Sequence, residues 1–85
     1  MTSVTETEFK KMPLLQRYKA LEQEGHFVER RIYRGMEAFL YKMDGFYVEA
    51  WKRYMLAEVC WIEVVPEKTL EKYVDSVDLT KLLDS

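Results

Sequence analysis

The sequence has very little of what small catalytic or metal-binding sites require. It contains one cysteine, Cys60, and one histidine, His26. These counts exclude an intrachain disulfide, a cysteine-cluster zinc site and a site built from several histidines. The three glycines, Gly25, Gly35 and Gly45, are spaced ten residues apart and form no phosphate-binding loop. We therefore expect no catalytic residue, no cofactor and no metal ion, and predict that the chain is not an enzyme.

Long apolar runs and a strong basic charge are also absent. No apolar run approaches the ~20 residues that a membrane-spanning helix needs. The first residues lack the basic start and apolar run of a secretory signal. The net charge of -2 argues against a strongly basic nucleic-acid binder. We therefore expect a cytoplasmic protein that does not contact membranes, and we do not expect nucleic acid as its main partner.

What the sequence does contain is typical of a small folded domain. The chain has 85 residues, of which 48% are hydrophobic and 14% aromatic, and this fits a single domain over residues 1–85. Residues 1–8 are polar without a clear period, so we expect a flexible tail there. A domain of this size buries only roughly 60% of the surface of its extended chain. It has no room for a large enclosed active site.

A first helix is predicted from Pro13 onward. Proline suits the first helical position, where its missing N–H costs nothing. Leu14, Tyr18 and Leu21 follow at i, i+4 and i+7, which places them on one apolar face. Gly25 is predicted to end the helix in a left-handed conformation.

After Gly25 the apolar pattern changes to the period of two that is typical of strands. The dipeptides Arg34-Gly35 and Asp44-Gly45 separate β-rich runs, which predicts a three-stranded antiparallel meander. Residues 58–65 are rich in Val, Ile and Trp and predict a fourth strand. The link before them lacks turn residues, so a bent continuation of the third strand is an alternative.

A two-residue loop at Asp44-Gly45 would fix the register of the central hairpin. Because side chains alternate between faces, each opposed pair then lies on one face of the sheet. The predicted pairs are Tyr41 with Val48, Phe39 with Ala50, and Glu37 with Lys52.

A second helix is predicted after Pro66. Leu70, Tyr73, Val74 and Val77 follow at i, i+3, i+4 and i+7. The predicted fold class is therefore α+β: an N-terminal helix, a three- to four-stranded antiparallel β-meander and a C-terminal helix.

Both faces of the predicted sheet carry large apolar side chains, whereas a sheet covered on one side should alternate between apolar and polar. A helix is ~10 Å wide and strands are ~4.8 Å apart, so one helix covers about two strands. Whether the helices share one face or take one each, some apolar area stays exposed. We therefore predict a homodimer that forms through the sheet, face to face or by an edge strand. The predicted interface residues are Tyr33, Met36, Leu40, Tyr47 and Trp51.

The function predicted from these features is that of a non-enzymatic protein–protein interaction module. Binding of a small ligand in a groove between helix and sheet is one alternative. Single-stranded nucleic-acid binding is another, because basic and aromatic side chains interleave on the sheet. The basic residues concerned are Arg30, Arg31, Arg34, Lys42, Lys52 and Arg53, and the aromatic ones are Tyr33, Tyr47 and Trp51. Cys60 lies in an apolar strand, so we expect it to be buried and unreactive.

Overall fold

The structure, a computed structural model, describes residues 3–73. Two α-helices precede a four-stranded antiparallel sheet with the strand order β1-β2-β3-β4, and a 3₁₀ helix follows the sheet. The α+β class and the fourth strand are thus confirmed. The elements are α1 (Glu6–Lys11), α2 (Leu14–Glu24), β1 (His26–Tyr33), β2 (Met36–Lys42), β3 (Tyr47–Arg53), β4 (Val59–Val65) and the 3₁₀ helix (Glu67–Tyr73).

Helix α1 begins where the sequence predicted a flexible tail, so that expectation is wrong for residues 6–8. A capping box starts the helix: the Thr5 hydroxyl accepts from the Glu8 N–H at 3.1 Å, and the Glu8 carboxylate accepts from the Thr5 N–H at 2.9 Å. Phe9 is fully buried, and its ring lies 5.8 Å from that of Phe46. The Thr-x-x-Glu spacing was the signal in the sequence for this helix.

Helix α2 ends at Gly25, as predicted, but not in the predicted conformation. Gly25 has an extended backbone, with φ -78° and ψ 145°. Its N–H donates to the Leu21 carbonyl oxygen at 2.8 Å. A Cβ atom at this position would lie 2.6 Å from that same oxygen. Glycine is therefore required by close approach to the helix end, not by a positive φ.

The buried face of α2 differs from the predicted one. Arg17, Ala20 and Leu21 point inward, whereas Tyr18 is exposed. The helix is rotated so that an arginine, not a tyrosine, faces the sheet. The apolar side chains of Leu15 and Tyr18 are consequently left on the surface.

The predicted register of the central hairpin is confirmed. The observed pairs include Tyr41 with Val48, Phe39 with Ala50 and Glu37 with Lys52. The Met43 N–H donates to the Phe46 carbonyl oxygen at 2.8 Å across the turn. In the β1–β2 turn, Arg34 and Gly35 both have positive φ, 50° and 78°, as a type I′ hairpin requires.

Two bulges interrupt the outer strand pairs. Val28 is the extra residue in β1, and Cys60 is the extra residue in β4. The extra residue of a bulge is unpaired in the hydrogen-bond ladder, and the bulge changes the direction of its side chain. Cys60 is exposed, so the expectation that it is buried is wrong.

Both faces of the sheet are partly covered. Helices α1 and α2 pack on the face that carries Val48, Ala50 and Ile62, which we call the helical face. The 3₁₀ helix packs on the other face, which we call the opposite face, where Tyr73 covers Leu40. Within the described residues, the C-terminal segment forms this 3₁₀ helix; Val74, Val77 and the rest of the predicted C-terminal helix lie outside them.

Candidate interaction surface

A polar cluster holds the 3₁₀ helix on the opposite face of the sheet. The Tyr73 hydroxyl donates to Glu49 Oε2 at 2.6 Å, and Arg31 Nη2 donates to the same oxygen at 3.3 Å. The Arg31 guanidinium lies 5.2 Å from the ring centroid of Trp51 and 5.6 Å from that of Tyr33. Burial, and then the hydrogen bond to the Glu49 carboxylate, raises the pKa of Tyr73. This cluster is an internal anchor.

The predicted interface residues mostly belong to this internal packing. Leu40 is 0% exposed, so it is not available to a partner in this structure. Tyr47 packs against the same cluster of Leu40, Val65 and Tyr73. Met36 and Trp51 are half-buried, and Tyr33 is exposed. The opposite face is therefore largely occupied by the chain's own side chains, because the 3₁₀ helix crosses it.

The helical face is covered unevenly. Val48, Ala50 and Ile62 on β3 and β4 are buried, the aromatic side chains on β2 are half-buried, and those on β1 are exposed. Phe27 and Ile32 of β1 are 55% and 53% exposed. The Phe27 ring lies 6.2 Å from that of Phe39 and 5.8 Å from that of Tyr41, with tilted and edge-on geometry. We call these four residues the open half of the helical face.

An ion-paired trio borders the open half. Glu37 accepts from Arg30 and lies 2.8 Å from the Lys52 ammonium. Lys52 also lies 5.9 Å from the centroid of the Phe39 ring. Hydrogen bonds from Lys52 and Arg30 lower the pKa of Glu37. The two basic side chains therefore share one carboxylate, and the trio that borders the open half keeps a net charge of +1.

A second exposed apolar region adjoins the trio. It consists of five side chains from α2 and the β3–β4 connection, each between 41% and 80% exposed: Leu15, Tyr18, Tyr54, Met55 and Leu56. A groove of about 330 Å³ lies between α2 and the sheet within this region. Its lining is apolar and consists of Leu14, Leu15, Tyr18, Ala57 and Val59. We call it the apolar groove.

These exposed regions form a continuous surface beside α2. A shallow depression lined by Arg30, Glu37, Lys52 and residues 54–57 connects the ion-paired trio to the β3–β4 connection. On the other side, Tyr18 lies close enough to Tyr41 to add to the raised pKa that burial gives the Tyr41 phenol. The sequence pattern missed this surface because it assigned Tyr18 to the core.

Arg17 is the reason for the rotation of α2, and no sequence motif identified it. Its guanidinium donates to three backbone carbonyls, those of Met12 and Lys10 at 2.9 Å each and that of Ile62 at 2.5 Å. It also lies 4.8 Å from the ring centroid of Trp61. Helical periodicity treats arginine as solvated, so the pattern could not place it inside.

The basic residues considered for nucleic-acid binding are not gathered into one unpaired surface. Arg31 is bonded to Glu49 on the opposite face, whereas Arg30 and Lys52 are bonded to Glu37 on the helical face. Arg34 lies over the Tyr33 ring at 5.2 Å. Ion pairing reduces the charge that these side chains can offer to phosphates.

A further, polar depression contains His26. It measures about 660 Å³ and is lined by Ser3, Glu24, His26, Lys42, Met43 and Asp44. Among residues 3–73, no three His, Cys, Asp or Glu side chains converge in a way that would hold a metal ion.

No protein-family model, curated protein or solved structure matches the chain. In the part of the chain that the structure describes, no helix has the length and apolar character to cross a membrane. The geometry of the exposed surface is therefore what bears on function.

Proposed function

We propose that this chain is a non-enzymatic interaction module that forms a homodimer through the open half of its helical face. The observation that carries the proposal is the uneven cover of that face. Helices α1 and α2 both contact β4, and the side chains of β1 on the same face are exposed. Because both helices lie over the β4 side of the sheet and a helix is only about two strands wide, the β1–β2 side of this face is left for another molecule.

The edge strand β1 favours contact through the face over addition of a further strand. Its bulge at Val28 interrupts the ladder, and Glu29, Arg30 and Arg31 follow directly. Bulges and charged side chains are the features by which natural edge strands avoid pairing with other strands. Phe27 and Ile32 flank this charged stretch and point to the helical face.

A second copy of the chain is the partner that this surface fits. Two-fold homodimers are the commonest assemblies and use the same patch on both subunits. The open half is apolar, and the bordering Arg30–Glu37–Lys52 trio has two basic side chains and one carboxylate, which leaves a net charge of +1. Because this residual charge is small and lies at the border, the apolar side chains of the open half can face those of a second copy.

Replacement of Phe27 by glutamate tests this proposal. Two buried carboxylates would face apolar surface in the dimer, so we expect the dimer dissociation constant to rise at least tenfold, about 1.4 kcal/mol. Sedimentation over a concentration series measures it. Thr7→Glu, which adds the same charge at an exposed position on α1, is the matched control and should leave the constant unchanged. Wild-type protein that sediments as a monomer at high micromolar concentration would contradict the proposal.

Binding of a small apolar ligand is the second candidate, and the apolar groove favours it. A volume of about 330 Å³ is at the lower end of the ~300–1,000 Å³ range of ligand pockets. Leu15→Glu would place a carboxylate at its wall. Loss of binding of an apolar fluorescent probe in that variant, without loss of the dimer, would support the ligand function over the dimer for this groove.

A further inference from the structure

The side chain of Met55 projects from the surface, and its backbone has a strained conformation. Its φ is +72°, in the left-handed region that a methionine seldom adopts. Its side chain is 80% exposed. Such conformations are strained and persist where the surroundings enforce them, commonly at functional positions. A large apolar side chain is thus held in water at an energetic cost.

The backbone around Met55 is fixed by hydrogen bonds on both sides. The Tyr54 N–H donates to the Gly35 carbonyl oxygen at 2.9 Å, and the Leu56 N–H donates to that of Arg53 at 3.1 Å. The Lys52 ammonium donates to the Leu56 carbonyl oxygen at 2.7 Å. The projecting side chain is therefore presented from a pre-ordered turn, which lowers the entropic cost of binding through it.

The apolar groove lies directly beside this turn. Ala57, which lines the groove, is two residues from Met55, so their Cα atoms are at most ~7.6 Å apart. Met55 is not among the lining residues and does not fill the groove of its own chain. A projecting side chain and an unfilled apolar groove thus sit side by side on one surface.

We infer that Met55 of one copy inserts into the apolar groove of a second copy, and that the second copy's Met55 inserts reciprocally about a two-fold axis near Ala57. The inference rests on the proposed homodimer and names its contact. A projection and a groove that adjoin each other close into a dimer, whereas distant ones generate open filaments. Methionine suits this role because its unbranched side chain adapts to irregular gaps and its sulfur packs favourably against rings such as that of Tyr18.

The exposed area is sufficient for such a contact. Leu15, Tyr18, Tyr54, Met55 and Leu56 are each between 41% and 80% exposed. With roughly 150–250 Å² for a large side chain, they expose on the order of 500 Å². The smallest stable interfaces bury about 600 Å² per partner. The adjoining open half supplies the remainder.

Two variants remove the projection and the groove separately. Met55→Gly deletes the side chain and suits the positive φ, so we expect an unchanged or higher melting temperature and at least a tenfold rise in the dimer dissociation constant. Leu15→Glu places a charge in the groove wall at a position that is 64% exposed, so the fold should persist while dimerisation weakens similarly. Circular dichroism and sedimentation measure the two quantities.

A mixing experiment tests the reciprocity. A Met55→Gly subunit keeps its groove and a Leu15→Glu subunit keeps its projection, so their heterodimer retains one intact contact. We expect the mixture to associate at least threefold more tightly than either variant alone. If the mixture associates no more tightly than the Met55→Gly variant alone and the Leu15→Glu variant alone, the reciprocal insertion is overturned.

The outcomes separate this inference from the proposed function. A monomeric wild-type protein overturns both. A wild-type dimer that Met55→Gly leaves unchanged overturns the insertion and leaves the homodimer standing. Association of the wild-type protein, but not Met55→Gly, with anionic lipid vesicles while both remain monomers would assign the turn to membranes and also overturn the insertion.

Discussion

Arg17 and Arg31 each join a helical segment to one face of the sheet, and they do so with different partners. Arg17 bonds three backbone carbonyls and, within residues 3–73, has no carboxylate partner. Arg31 bonds the carboxylate of Glu49, which also accepts from Tyr73. The comparison shows two ways to satisfy an inward-pointing guanidinium: several fixed backbone acceptors, or one ionised side chain shared with a third group.

We expect disruption of the Arg17 bonds and disruption of the Arg31–Glu49 pair to destabilise the protein by different amounts. Loss of Arg17 leaves three carbonyls without their donor, two at the end of α1 and one in β4, and the backbone cannot easily re-aim them. Loss of the Glu49 charge leaves an arginine that can still contact the rings of Trp51 and Tyr33. We therefore expect the larger effect on the helical face.

Arg17→Met is expected to cause the largest loss of stability. It keeps the apolar stem and removes every donor, so we expect the free energy of unfolding to fall by about 3 kcal/mol. Urea denaturation followed by circular dichroism measures the change. Lys19→Met, at an exposed position on the same helix, is the matched control and should change stability by less than about 0.5 kcal/mol. Equal effects of the two substitutions would show that the Arg17 bonds contribute little.

Glu49→Gln is expected to have the next largest effect. The amide keeps an acceptor but loses the charge that Arg31 and Tyr73 use, so we expect a loss of about 2 kcal/mol. A double-mutant cycle with Arg31→Met should show coupling, since both changes disrupt one interaction. If the stability losses of the two substitutions simply add, Glu49 and Arg31 stabilise the fold independently of each other.

The smallest expected effect is a loss of stability at alkaline pH that is caused by ionisation of Tyr73. Its pKa in the folded state is raised by burial and by the Glu49 carboxylate. The stabilisation from the neutral phenol is therefore present below the ordinary tyrosine pKa of ~10 and is lost as the pH rises above it. Ultraviolet titration should show one of the six tyrosines ionising only on unfolding, and Tyr73→Phe should abolish that late step. A late step that survives in Tyr73→Phe would assign it to another tyrosine.

Local rules predicted the sheet well. The Asp44-Gly45 turn and strict alternation determined the register of β2 and β3, because a slip of one residue would exchange their faces. The same rules could not predict which face the helices occupy, since both faces contain large apolar side chains. In the structure the helical face is the one where the buried Arg17 bonds the Ile62 carbonyl, an acceptor 45 residues away in the sequence.

The interface prediction was limited for the same reason. Counting helix widths correctly indicated that apolar surface stays uncovered, but it could not place that surface. Leu40 was assigned to the interface and is buried, because Tyr73 reaches across to Glu49. Tyr18 was assigned to the core and is exposed, because Arg17 takes the inward position.

One residue, Gly25, separates the end of α2 from the start of β1, and it touches the last turn of the helix too closely to admit a Cβ atom. The direction change from helix to strand therefore takes place at a single residue that must be glycine. Phe27 of the open half follows this joint by two residues, and Tyr18 of the apolar groove precedes it by seven. A molecule that binds Phe27 and one that binds Tyr18 would therefore act on opposite sides of the same one-residue joint.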